Sequence, residues 1–184
     1  MVQTDSSESY MSLWSALWPS DHVVQSLLEY LEKFDRDDDG LTWSTPKLWH
    51  ITLGYYGKDD SVTRMRWLRE RLADQAAPTV CFEGAGTFPQ VLWVKVFGDC
   101  LAKLAEAARP ARNDYDYRAH MTLARCQEGI PPHWLDRLAD YRSEPWLASE
   151  VLLMRTDNTP EGKIETVLDR IPLKTAASMG NKTT

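Results

Sequence analysis

Two tetrapeptides share one pattern: His50-Ile51-Thr52-Leu53 and His120-Met121-Thr122-Leu123, both His-x-Thr-Leu and 70 residues apart. With 4 His, 14 Thr and 21 Leu in 184 residues, chance produces two such copies roughly once in two thousand chains. Each copy stands in an extended context. Successive strand side chains point to opposite faces, so His50 and Thr52 share one face, and Ile51 and Leu53 the other. The same holds for His120 and Thr122 against Met121 and Leu123. The apolar pair faces a core and the polar pair is presented together. Two such strands side by side offer two imidazoles and two hydroxyls to one cleft. An imidazole titrates near neutrality, so one copy can take a proton from water while the other gives one to a leaving oxygen. The hydroxyls can donate to the non-bridging oxygens of a phosphate as its charge builds. The set suits in-line attack on a phosphodiester without a metal, best on a strained cyclic phosphate. A single copy would be read as a strand histidine satisfied locally; the matched pair argues against that.

The pattern around the motifs supplies the elements that must position them. Ser12 to Trp18 reads as a strand stopped by Pro19, and a helix follows from Asp21, its expected N-cap, with Val24, Leu27, Leu28, Leu31 and Phe34 as the apolar stripe. Leu41–Thr45 and Lys47–Tyr56 read as extended. A second helix is expected over Ser61–Ala76, then strands near Val80–Glu83 and Val91–Phe97 separated by a GAGTFPQ connector. A third helix spans Asp99–Ala108, Arg118–Cys126 is extended, Pro132–Tyr141 is helical, and Trp146–Arg155 and Lys163–Pro172 close the chain as strands. Alternating strands and helices with no linker between them predict one α/β or α+β domain over residues 11–174, with tails at 1–10 and 175–184.

Composition narrows the class. Lys plus Arg is 21 against 27 Asp plus Glu, a net charge of -6, so a broad basic footprint on nucleic acid is not expected. If RNA is the substrate, the chain must grip a small end group. The polar, acidic MVQTDSSESY start predicts no signal peptide, and no apolar run reaches a membrane span of ~18–20 residues. The 3 Cys form no CxxC pair, which disfavours disulfides and cysteine zinc sites. The expectation is a reduced, cytoplasmic enzyme or binding domain, monomeric, with no membrane or protein partner and no cofactor or metal.

Other candidates carry less. Asp35 to Gly40 imitates half of an EF-hand loop, but Pro46 stands where a bidentate Glu belongs and no helix follows. His22 and His133 stand at helix starts as surface or capping residues. A two-histidine metal site lacks a third ligand in the motifs. Of the 8 Trp, most belong to the core, Trp49 among them, with one or two left to stack a base near a cleft. Tyr56 shares the His face by alternation and is a candidate for base or ribose contact. The stretches 58–71 and 109–125 each carry a local charge of +2 and flank the motifs, where they can guide a phosphate in.

Together these residues resemble the 2H phosphoesterase superfamily, closest to its RNA 2′,3′-cyclic phosphodiesterase branch, also called 2′-5′ RNA ligase. The likeness runs from about Leu13 to Leu173: LWSALWP at 13–19, Trp43 and Pro46 before the first motif, Tyr55 and Gly57 after it, GAGTFP at 84–89, LWVKV at 92–96, and HMTLAR at 120–125. The resemblance implies a bilobal α+β fold of two pseudo-symmetric halves, antiparallel sheets lining a central cleft and helices outside. It implies hydrolysis of 2′,3′-cyclic phosphate ends of RNA or nucleotides to 2′-phosphates, and reverse ligation to a 2′-5′ linkage. It also implies roles: His50 protonates the departing 3′ oxygen, His120 activates water, and Thr52 and Thr122 hold the phosphate. The sequence departs where relatives carry a basic residue four positions after the first His; Gly54 stands there, on the His face by parity. Ala119 replaces the proline often found before the second His. Arg118, on the His face, is the better basic candidate, since the odd offset of Arg125 points it away. A related enzyme acting on another small cyclic phosphodiester, and a non-catalytic nucleotide or RNA-end binder, are the competing readings. Two titratable groups weigh against pure binding.

Overall fold

A computed structural model describes residues 11–36, 40–110, 116–160 and 162–175. The expected tails, Thr175 apart, and residues 37–39 of the acidic loop lie outside the described residues. The described residues form nine strands and four helices: β1 (Met11–Leu17), α1 (Asp21–Leu31), β2 (Thr42–Trp43), β3 (Ile51–Gly57), α2 (Ser61–Leu72), β4 (Thr79–Phe88), β5 (Val91–Gly98), α3 (Leu101–Ala108), β6 (His120–Arg125), α4 (His133–Leu138), β7 (Trp146–Leu147), β8 (Glu150–Thr159) and β9 (Gly162–Pro172).

The strands form one curled antiparallel sheet in the order β7-β4-β5-β6-β3-β1-β8-β9, with β2 added alongside β6. The order is the α+β, pseudo-symmetric arrangement expected: four strands on either side of the β3–β6 junction. The two halves are not separate sheets, because β3 and β6 meet, though only at Ile51 opposite Met121. The helices supply the cover that the strands' apolar face requires. Ile51, Leu53, Met121 and Leu123 belong to one buried cluster with Leu27 and Leu31 of α1, Leu68 and Leu72 of α2, Leu104 of α3, and Trp134 and Leu138 of α4. Burying such side chains contributes about 1.5–3 kcal/mol each. The polar partners in each motif are thereby forced to the opposite face.

Local differences from the pattern have identifiable causes. The N-cap of α1 is Ser20, not Asp21, and its hydroxyl pairs with His22 Nδ1 at 3.1 Å. The expected strand over 47–56 begins only at Ile51, because Pro46–Leu48 closes a 3₁₀ turn with Trp49 N–H donating to the Pro46 carbonyl at 3.1 Å. The GAGTFPQ segment is not a connector. β4 runs through it to Phe88, with a bulge between Phe82 and Ala85 where Gly84 takes φ +67°, a conformation that glycine adopts without Cβ strain. The expected Trp146–Arg155 strand splits, Trp146–Leu147 pairing with β4 and Glu150–Thr159 with β1 and β9.

Candidate active site

The β3–β6 junction sets the geometry. With Ile51 opposite Met121 in an antiparallel pair, His50 comes alongside Thr122 and Thr52 alongside His120, all four partly exposed. The structure therefore brings the two motifs into one place, related by a local twofold. Each ring is also held in the same way. His50 Nδ1 lies 2.7 Å from the Leu48 carbonyl and His120 Nδ1 lies 2.7 Å from the Arg118 carbonyl. A carbonyl can only accept, so Nδ1 carries the hydrogen in both rings and Nε2 is the nitrogen left to react. The 3₁₀ turn that shortens β3 is what delivers the Leu48 carbonyl. Among the described residues, the Thr52 and Thr122 hydroxyls have no hydrogen-bond partner.

Aromatic rings wedge each imidazole. His50 lies against Trp14 (centroids 4.4 Å apart) and Trp18 (5.3 Å), and Trp14 is anchored by its Nε1–H donating to Thr156 Oγ1 at 2.8 Å. His120 meets Phe88 edge-on at 5.1 Å and Trp93 at 5.7 Å. Burial pushes the His50 pKa below its ordinary 6.5; the Leu48 carbonyl opposes this, and the charge of nearby His120 adds to it.

An open groove of about 860 Å³ adjoins the motifs, lined among others by Thr52, Tyr55, Phe88, Tyr117, Arg118 and His120. Arg118 stands at its rim. Tyr117 braces it, donating from its hydroxyl to the Thr52 carbonyl at 3.1 Å.

Tyr56 is not at this groove, and the reason is a β-bulge. Along the β1–β3 ladder Ala16 pairs with Thr52, but Ser15 pairs with Gly54 and Trp14 with Tyr55. The extra residue at Leu53–Gly54 inverts the alternation beyond it. Tyr55 therefore turns to the groove, 54% exposed, and Tyr56 turns toward the helices. The Tyr56 hydroxyl donates to the Ala108 carbonyl at 2.6 Å and lies 2.6 Å from Ser15 Oγ, and burial pushes its pKa up to about 12. Gly54 also leaves the His face: a Cβ there would sit 2.5 Å from the Ala108 carbonyl oxygen, so a side chain at this position has no path to the site. An isolated glycine inside a strand pattern is the one sequence signal for such a bulge. Tyr56→Phe is expected to lower stability by about 1–2 kcal/mol in urea unfolding while leaving turnover within about twofold.

Trp49, His133 and Arg125 do not line this groove. Trp49 is buried, and His133 packs on Trp134 at 5.8 Å. Arg125 is exposed beside Cys126 and Gln127, away from the groove. Among the described residues no three His, Cys, Asp or Glu side chains converge as metal ligands. None of the described helices is long and apolar enough to cross a membrane.

Against known proteins, no family model matches the chain, and no curated protein sequence matches it. Solved structures do. The protein TT0787 of Thermus thermophilus superposes with a TM-score of 0.70 at 24% identity over 90% of this chain and 99% of that one. Escherichia coli LigT, in its complex with ATP, gives 0.69 at 18% over 90% and 99%. A further phosphoesterase gives 0.71 at 14% over 90% and 99%. The chain thus has the 2H phosphoesterase fold that its paired motifs pointed to. Nearly the whole length of each neighbour is accounted for by this one chain.

Proposed function

We propose that this chain is a 2H phosphoesterase that opens 2′,3′-cyclic phosphate ends of RNA or nucleotides to 2′-phosphates without a metal. The observation that carries the reading is the duplicated ring constraint: two imidazoles, both with Nδ1–H tied to a main-chain carbonyl and Nε2 left for proton transfer. In the proposed step His120 Nε2 takes a proton from water, the water oxygen bonds to phosphorus, and the P–O3′ bond breaks. The Nε2–H of protonated His50 delivers its proton to O3′, leaving a 3′-hydroxyl and a 2′-phosphomonoester. Thr52 and Thr122 donate to the non-bridging oxygens as their charge grows. A 5′-hydroxyl in place of water makes a 2′-5′ linkage by the same step. Burial disfavours the protonated form of His50, and a nearby phosphate anion favours it.

The test is hydrolysis of 2′,3′-cyclic mononucleotides with EDTA present. Turnover is expected to survive chelation and to release the 2′-phosphate; a 3′-phosphate product overturns the assigned leaving group, and abolition by EDTA overturns the metal-free step. The pH profile of kcat/KM is expected to be bell-shaped, with one limb below pH 6.5, the side to which burial moves His50. Two limbs both above pH 7 contradict it.

A further inference from the structure

We propose that the furrow between α2 and α3 is a track for single-stranded RNA lying upstream of the terminal phosphate; this rests on the activity proposed above. Three adjoining hollows form it. Arg71 lines all three, Lys103 two of them, and Arg109 two of them as well as the groove beside His120. The furrow and the groove beside His120 thus share Arg109 as lining, and one hollow shares Tyr117 as well. Together, furrow and groove are lined by Arg64, Arg71, Lys103, Arg109 and Arg118 against two acids, Glu106 and Asp116, with Arg64 itself ion-paired to Asp59 at 2.5 Å. The excess is local, on a chain whose net charge is -6.

The cations are also held in place. Arg71 donates from Nε to the Ala107 carbonyl at 3.1 Å and from Nη2 to the Glu106 carbonyl at 3.4 Å, and Arg109 Nε donates to the Ala105 carbonyl at 3.2 Å. Aromatic faces fix the guanidiniums further: Arg64 and Arg71 lie 4.6 and 5.3 Å from the Trp67 ring centroid, and Arg109 lies 5.1 Å from that of Tyr117. A guanidinium has five N–H donors, so Arg71 keeps donors beyond those given to α3. A row of fixed cations spaced along a furrow matches a phosphate backbone, and a mononucleotide, with its one phosphate between the histidines, has none left to reach it. The occupant that fits is an RNA strand with its 3′ end in the groove.

Capping of α3 by Arg71 and Arg109 is the purely structural alternative, so the test avoids those side chains. Ala102→Glu and Lys103→Glu add negative charge to exposed furrow positions and break no contact described here. Two readouts are used: kcat/KM for an eight-residue oligouridylate ending in 2′,3′-cyclic phosphate against that for cyclic UMP, and fluorescence anisotropy of the same oligomer ending in 2′-phosphate. Each variant is expected to lower oligomer kcat/KM and affinity at least about tenfold more than cyclic UMP turnover, and to flatten the salt dependence of oligomer binding. Lys163→Glu, on β9, is the control and should shift neither. Equal responses of oligomer and mononucleotide, or unaltered oligomer affinity in both furrow variants, overturn the track. A parent that opens neither substrate overturns the proposed activity instead, and the anisotropy series then decides the track independently.

Discussion

Under the proposed activity, alanine at His50 or at His120 is expected to lower kcat/KM for a 2′,3′-cyclic nucleotide by at least about 10²-fold, the effect of removing a positioned general acid or base. The double variant is expected to be little worse than the poorer single one, because groups that act on one bond in one step fail as a unit. Both variants should fold, since each imidazole is partly exposed and its Nε2 serves no contact in the core. Thr52→Val and Thr122→Val should cost less, each removing one donor to the phosphate. Steady-state kinetics with EDTA present, alongside thermal unfolding, gives the answer. Undiminished turnover in both alanine variants would falsify the acid–base pair outright.

The second large effect is expected at Gly86, which touches no substrate. Gly86 pairs with Trp93 across the β4–β5 ladder, and a Cβ on it would stand 2.3 Å from the indole ring. Trp93 is 4% exposed and packed against both Phe88 (5.1 Å) and His120 (5.7 Å), so the ring cannot yield without moving the wall on which His120 rests. Gly86→Val is expected to cost about 2–3 kcal/mol in urea unfolding, the range of an overpacked core. The surviving folded fraction should also lose at least about tenfold in kcat by displacing His120, whereas Tyr56→Phe disturbs stability alone. A Gly86→Val protein as stable and as active as the parent would remove the indole from any part in holding the ring.

Periodicity was a sufficient guide wherever a face alternates without interruption. The first-helix stripe residues Leu27 and Leu31 and the motif residues Ile51, Leu53, Met121 and Leu123 all enter the shared core, because burial is what their spacing encodes. It failed where the main chain adds a residue. Alternation carried past Leu53 assigns Tyr56 to the cleft, and the bulge hands that place to Tyr55. GAGTFPQ reads as a loop on glycine content, yet its glycines are in a strand, one accepting the bulge and one making room for Trp93. The wedging of His50 by Trp14 and Trp18 was out of reach for a different reason: the β1–β3 contact depends on strand order, which local pattern does not carry.

The twofold relation of the two rings bears on which way the chemistry runs. In the proposed step, proton donor and proton acceptor are rotated copies of each other, hung from equivalent carbonyls, so either imidazole can serve the incoming or the outgoing oxygen. Under the proposed activity such a centre has no built-in direction, and mass action between water and a 5′-hydroxyl settles whether ends are opened or joined. Any bias must come from the parts that break the symmetry, the indole pair on one side and the mixed phenyl–indole pair on the other.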